Sequence, residues 1–192
     1  MKAPKLWVVS DTHFNHQQII NKFEFRKENY AEEICRKIRK NVKSNDILIH
    51  LWDVIFDRPS ELKTYLDSMW PCTKILVRWN HDKWSDSFYY EKWFNFVTDR
   101  IDINNLIFTH IPVKDLEKWK LNIHWHNHTN EEHILFYANS SEQYVLYNAI
   151  EQNYMPVLVN NLIKQHKNKP VIKKTLWQRI FWYKLTKYTW KN

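Results

Sequence analysis

With 192 residues the chain can bury one sizeable core, and 44% hydrophobic against 26% charged residues excludes a chain disordered throughout. No apolar run approaches the roughly 20 residues of a membrane span, so no membrane partner is expected. The formal net charge of +8 is uneven: nine lysines and arginines lie between Lys164 and Lys191, leaving the body with 20 basic against 21 acidic residues, a net of −1.

In chain order, Leu6-Trp7-Val8-Val9-Ser10 reads as a buried first strand; it is too short for a signal-peptide core, and a cytoplasmic location is expected. Asp11-Thr12-His13 closes it, a carboxylate and an imidazole two apart that a turn can converge on one metal ion. An apolar-spaced segment follows around Ile19, Ile20 and Phe23. Tyr30, Ile34, Ile38 and Val42 then recur at every fourth position, predicting an amphipathic helix, with Asn29 and Glu32 as a capping-box start. Cys35 and Cys72 fit no metal spacing and are expected to be buried thiols.

Ser44-Asn45-Asp46 breaks that helix, Ile47-Leu48-Ile49-His50 is a second strand, and Leu51-Trp52-Asp53 sets another carboxylate at a strand end. Ser60 is placed to cap a helix carrying Leu62, Tyr65, Leu66 and Met69. Ile75-Leu76-Val77, a third strand, leads into Arg78-Trp79-Asn80-His81-Asp82. Phe94 to Val97 and Asn105 to Phe108 are short strand candidates, the second followed by His110. Leu121-Asn122-Ile123 ends in His124-Trp125-His126-Asn127-His128, three alternating imidazoles that point to metal. Ile134 to Tyr137 and Tyr144 to Tyr147 predict a closing hairpin, and Pro156 to Ile163 a last helix. The division expected is a domain over 1–163 and a basic C-terminal extension over 164–192.

The strand-end groups Asp11, His13, Asp53, Asn80, His81, His110, His126 and His128 provide oxygen and imidazole donors enough for two divalent metals. Their order resembles that of the calcineurin-like metallophosphoesterases, whose blocks are Asp-x-His, Gly-Asp, Gly-Asn-His-Asp/Glu, a lone His and Gly-His-x-His. Here they stand as Asp11-Thr12-His13, Trp52-Asp53, Trp79-Asn80-His81-Asp82, His110 and Trp125-His126-Asn127-His128. The resemblance implies an α/β fold in which two mixed β-sheets pack as a sandwich flanked by helices, in four layers, with the metals at the strand ends. It implies that Asp11, His13 and His128 hold one metal, Asn80, His110 and His126 the other, and that Asp53 bridges them. Mn²⁺ is the favoured ion, with Fe, Zn or Ni as alternatives. His81 would then serve as proton donor to the leaving oxygen, with Asp82 orienting it, and His16 and Arg78 are candidates for substrate phosphate. The function implied is metal-dependent hydrolysis of a phosphomonoester or phosphodiester, nucleotides and nucleic acids included; the motifs carry no signal for oligomeric state.

The departure from the family pattern is uniform. All three motif glycines are tryptophan, and the chain has no glycine but 11 tryptophans. Average usage of about 7% would place about 13 glycines in this length. One systematic cause would account for this: UGA codons that the source organism reads as glycine, rendered as tryptophan, which the DNA at codons 52, 79 and 125 tests. Two other readings of function stand beside the enzyme. If the tryptophans are real, the chain is a degenerate, non-catalytic relative. Alternatively the basic extension, with Trp177, Phe181, Trp182, Tyr183 and Tyr188 among its charges, is a nucleic-acid-binding module.

Overall fold

The computed structural model describes residues 3–22, 26–56, 58–69, 72–78, 84–92, 94–111, 113, 116–117, 119–124, 144–146 and 154–167. Two mixed sheets and their helices make an α/β architecture. In the first sheet the order is β4-β3-β2-β1-β9, from β1 (Leu6–Ser10), β2 (Ile47–Leu51), β3 (Thr73–Val77), β4 (Phe96–Thr98) and β9 (Val157–Leu158). The first four run parallel, and β9 pairs antiparallel with β1 at its edge. In the second the order is β5-β6-β7-β8, from β5 (Ile101–Ile103), β6 (Leu106–Phe108), β7 (Leu121–His124) and β8 (Tyr144–Leu146). There β5 and β6 are antiparallel, while β6, β7 and β8 are parallel neighbours.

The parallel strands are short apolar runs because both faces are covered. Val8, Val9, Leu48, Ile49, Leu76 and Val77 from the first sheet share one core with Phe108 and Ile123 from the second. The helix α1 (Gln17–Lys22) follows β1, and α2 (Tyr30–Asn41) leads into β2. The fourfold spacing in α2 does what it predicts: Tyr30, Ile34, Ile38 and Val42 are all buried. Full burial of each isoleucine contributes about 1.5–3 kcal/mol. α3 (Leu62–Ser68) lies against α2 and buries Leu62 and Leu66; α4 (Asp86–Glu91) precedes β4, and α5 (Val159–Lys167) lies against β1, β8 and β9. Cys35 and Cys72 are buried thiols, and burial pushes the Cys35 thiol up to about 11. Among the described residues no helix is long and apolar enough to cross a membrane.

Several expected boundaries shift. Asn29 makes no side-chain capping bond, because its φ of −92° and ψ of 23° lie outside the extended region a capping side chain needs. Ser60 does not cap α3; it lies inside a 3-10 turn, Pro59–Glu61, entered through Arg58 with a left-handed φ of 48°. The strand expected over Phe94 to Val97 is Phe96–Thr98, and Phe94 is a buried core residue before it. Pro156 to Ile163 is not one helix: Val157 and Leu158 pair with β1 before α5 begins. That helix runs to Lys167. Of the closing hairpin, residues 134–137 lie outside the described residues; the other arm contains β8, which pairs parallel with β7.

Candidate metal centre

Parallel pairing of β1 with β2 sets Ser10 opposite Leu51, so the turns that leave the two strands emerge side by side. They stay bonded past the strand ends. Asp11 N donates to Trp52 O at 3.0 Å, His13 N to Asp53 O at 2.8 Å and Phe14 N to Val54 O at 2.9 Å. This zipper needs unusual backbone: φ is 52° at Asp11, 46° at His13, 60° at Asn15, 63° at Trp52 and 49° at Asp53. Asp, Asn and His are enriched in the left-handed region, where other non-glycine residues cost about 1–2 kcal/mol. Such strain clusters at functional sites.

The zipper brings Asp11, His13 and Asp53 together. One ligand atom from each lies within 4.8 Å of the others, Asp11 fully buried and the other two partly so. His13 Nε2 stands 3.5 Å from Asp53 Oδ2. Two carboxylates and an imidazole on a rigid turn pair are a donor set that fits a divalent transition metal.

Side chains that the motifs do not include hold the turns in place. Arg26 is almost fully buried and donates to Asp11 O at 2.8 Å and to Thr12 O at 3.1 Å. The Tyr30 hydroxyl donates to His13 O, and burial raises its pKa, which keeps it protonated for that bond. Thr12 Oγ1 donates to Val54 O at 2.8 Å and also lies 2.9 Å from His50 Nε2. A hydroxyl has one proton, so His50 Nε2 is the donor in the second bond, and its ring is the neutral Nε2–H tautomer. Burial pushes His50 down to about 3.

That depression gives stability a pH dependence with a definite sign. Between about 6.5 and about 3 the unfolded chain binds a proton at His50 that the folded chain does not. The stabilisation is therefore complete above the unfolded pKa and declines as pH falls toward 3, by up to about 1.4 kcal/mol per pH unit. Urea unfolding of the His50→Leu variant and the parent across pH 4–7 checks this: the variant is expected to lack that component of the slope.

The remaining expected site residues fall into three groups. His110, buried after β6, reaches the β2 end: its ring centroid is 3.6 Å from that of Trp52, tilted by 54°. Its loop is pinned by Asn122, whose Nδ2 donates to Ile107 O and Thr109 Oγ1 and whose Oδ1 accepts from Val113 N. His16 meets the His13 ring edge-on at 5.6 Å and accepts from Ile19 N at Nδ1. Arg78 forms an ion pair with Asp86, a competing partner for its expected phosphate contact. Asn80, His81, Asp82, His126 and His128 lie outside the described residues, as do Trp79 and Trp125. His124 is buried at the end of β7.

Trp52 is where the family pattern and the geometry meet. It is fully buried and takes a φ of 63°, a conformation glycine adopts without penalty. Its contact with His110 is tighter than the 4.5–7 Å of a relaxed aromatic pair. Trp7 differs: it lies in β1, and its Nε1 donates to Asp46 Oδ2 at 3.0 Å. A cleft of about 490 Å³ lined by Glu32, Cys35, Arg39, Tyr65 and Ser68 includes none of the candidate ligands.

No family model matches the chain. It is 28% identical over 174 residues to the uncharacterized protein MJ1445 of Methanocaldococcus jannaschii, covering 85% of this chain and 92% of that one. Among solved structures it is similar to the protein of unknown function AQ665 from Aquifex aeolicus, with a TM-score of 0.67 and 26% identity over 84% of this chain and 99% of that one.

Proposed function

We propose that the chain is a metal-dependent phosphoesterase of the calcineurin-like type, hydrolysing a phosphomonoester or phosphodiester. The observation that carries this reading is the convergence of Asp11, His13 and Asp53 on two turns hydrogen-bonded to each other at the ends of parallel strands. These are the first two of five motif blocks found in family order, and the α/β arrangement of two mixed sheets suits the family's sandwich. Asp11, His13 and His128 would hold one divalent ion, Asn80, His110 and His126 a second, with Asp53 shared. Two such ions supply positive charge to a phosphate ester and lower the proton affinity of water. The chain's own groups do the rest. Arg26 and Tyr30 hold the first ligand turn by its carbonyls; by the resemblance, His81 would deliver a proton to the leaving oxygen, with Asp82 to orient it.

The direct test is release of nitrophenolate from bis(p-nitrophenyl) phosphate with Mn²⁺, by protein carrying glycine at positions 52, 79 and 125. Turnover is expected, and His81→Ala should lose roughly 10²–10⁴ in rate with its metal content unchanged. Two bound ions with no turnover on mono- or diesters would count against the reading.

A second reading has its own observation. The indole of Trp52 pressed on His110 is what a degenerate, non-catalytic relative would carry at a former ligand. Tight binding of two metals by the tryptophan-containing protein would rule it out. Of the basic extension on which the nucleic-acid-binding reading rests, residues 168–192 lie outside the described residues.

A further inference from the structure

We propose that the exposed ring of Phe56 is a stacking platform for the base of a nucleotide whose phosphate is held through divalent metal at the Asp11, His13 and Asp53 cluster. The phosphate end of this proposal rests on the phosphoesterase reading; the base end has geometry of its own. Phe56 is 60% exposed, although it directly follows the buried Val54 and Ile55. Its backbone is fixed: Phe56 N donates to Phe14 O at 3.0 Å, and Phe14 pairs with Ile55 in an isolated parallel bridge. Phe14, whose carbonyl accepts that bond, has a fully buried ring that stacks on Tyr65 at 4.3 Å with planes 6° apart. Tyr65 in turn donates to Asn15 Oδ1 at 2.6 Å, and Asn15 Nδ2 to Glu61 Oε2 at 2.9 Å. The backbone that carries the Phe56 ring is therefore braced.

Its neighbour gives the platform a direction. The Phe56 and His16 ring centroids are 3.9 Å apart with planes tilted by 30°, and His16 meets His13 at 5.6 Å. Two ring contacts lead from a candidate metal ligand to an exposed aromatic surface. A lone exposed apolar side chain needs no explanation in itself. Tyr90, Phe96 and Trp119 are also exposed, but they belong to α4, β4 and the turn before β7. Phe56 is on the turn that carries Asp53. A planar aromatic group joined to a phosphate by one sugar is the ligand that spans such a pair of sites, and stacking accepts any base because each has a π face.

Calorimetric titration of the full-length protein, carrying glycine at positions 52, 79 and 125 and loaded with Mn²⁺, with thymidine 5′-monophosphate, deoxyribose 5-phosphate and a short thymidine oligonucleotide tests the proposal. The monophosphate is expected to bind about tenfold more tightly than the sugar phosphate. Phe56→Ala should abolish that difference while leaving the sugar phosphate unchanged, and Phe56→Trp should restore it. An oligonucleotide that binds more tightly than the monophosphate assigns the base to a nucleic acid, and equal affinities assign it to a free nucleotide. Equal affinity for monophosphate and sugar phosphate in the parent overturns the platform. So does a Phe56→Ala variant that loses thermal stability yet keeps the monophosphate affinity, because the ring is then covered by the chain itself. A base preference retained by a protein that hydrolyses no ester would remove the phosphoesterase reading and leave the platform standing.

Discussion

Replacing Trp52 by glycine is expected to lower the stability of the metal-free protein by about 1–4 kcal/mol and to raise its affinity for Mn²⁺ at least tenfold. The two effects have separate origins. Deleting a fully buried indole costs about 3–5 kcal/mol in transfer and cavity terms, and relieving a left-handed φ of 63° returns about 1–2 kcal/mol. The space vacated adjoins His110, whose ring is crowded to a centroid distance of 3.6 Å and which the family pattern assigns to a metal. Metal at 100 times its dissociation constant then returns about 2.7 kcal/mol, which brings the loaded variant to about the stability of the metal-free parent. Urea unfolding with chelator gives the first quantity and calorimetric Mn²⁺ titration the second. A variant that binds Mn²⁺ no more tightly than the parent would show that indole and site are compatible, and the glycine reading would fall. The gene offers an independent check: codon 52 should be UGA, and codon 7, whose indole bonds Asp46, should be UGG.

Asp53→Asn should weaken Mn²⁺ binding more than 100-fold, beyond the roughly 10–100-fold typical of groups that only orient ligands. The substitution is nearly isosteric. Asparagine tolerates the left-handed φ of 49° as readily as aspartate, and the backbone carbonyl that accepts from His13 N is retained. What is lost is the negative charge 3.5 Å from His13 Nε2, the charge that two cations would share. Thermal unfolding of the metal-free variant should therefore stay close to the parent while titration shows no pair of sites. Two ions bound at unchanged affinity would remove Asp53 from the bridging role.

What could be read in the sequence was whatever repeats within a few residues or follows a strand directly. The fourfold spacing of Tyr30, Ile34, Ile38 and Val42 describes α2 because burial of one helix face imposes that period. Asp11, His13 and Asp53 were legible because parallel strands bring their ends to one side of a sheet. The braces were not. Arg26, Tyr30 and His50 reach the Asp11 to His13 turn across 14 to 38 positions of chain, and no local pattern marks such contacts. A two-residue strand such as β9 has no period to detect, so Val157 and Leu158 read as part of the helix that follows them. The left-handed turns were concealed for a different reason: glycine, their usual marker, is absent, and Asp, His, Asn and Trp occupy them.

The edge pairing of β1 with β9 has a consequence for the growing polypeptide. β1 leaves the ribosome before its partners in the sheet, and β2 soon covers one of its sides, but the strand for its other side is encoded near residue 157. At about 5–20 residues per second that side stays open for on the order of ten seconds. An unsatisfied strand edge is a template for pairing with another chain, so a nascent chain stalled before β9 exposes its first strand to misassembly. The segment that closes the sheet thus acts as a seal on a vectorial process.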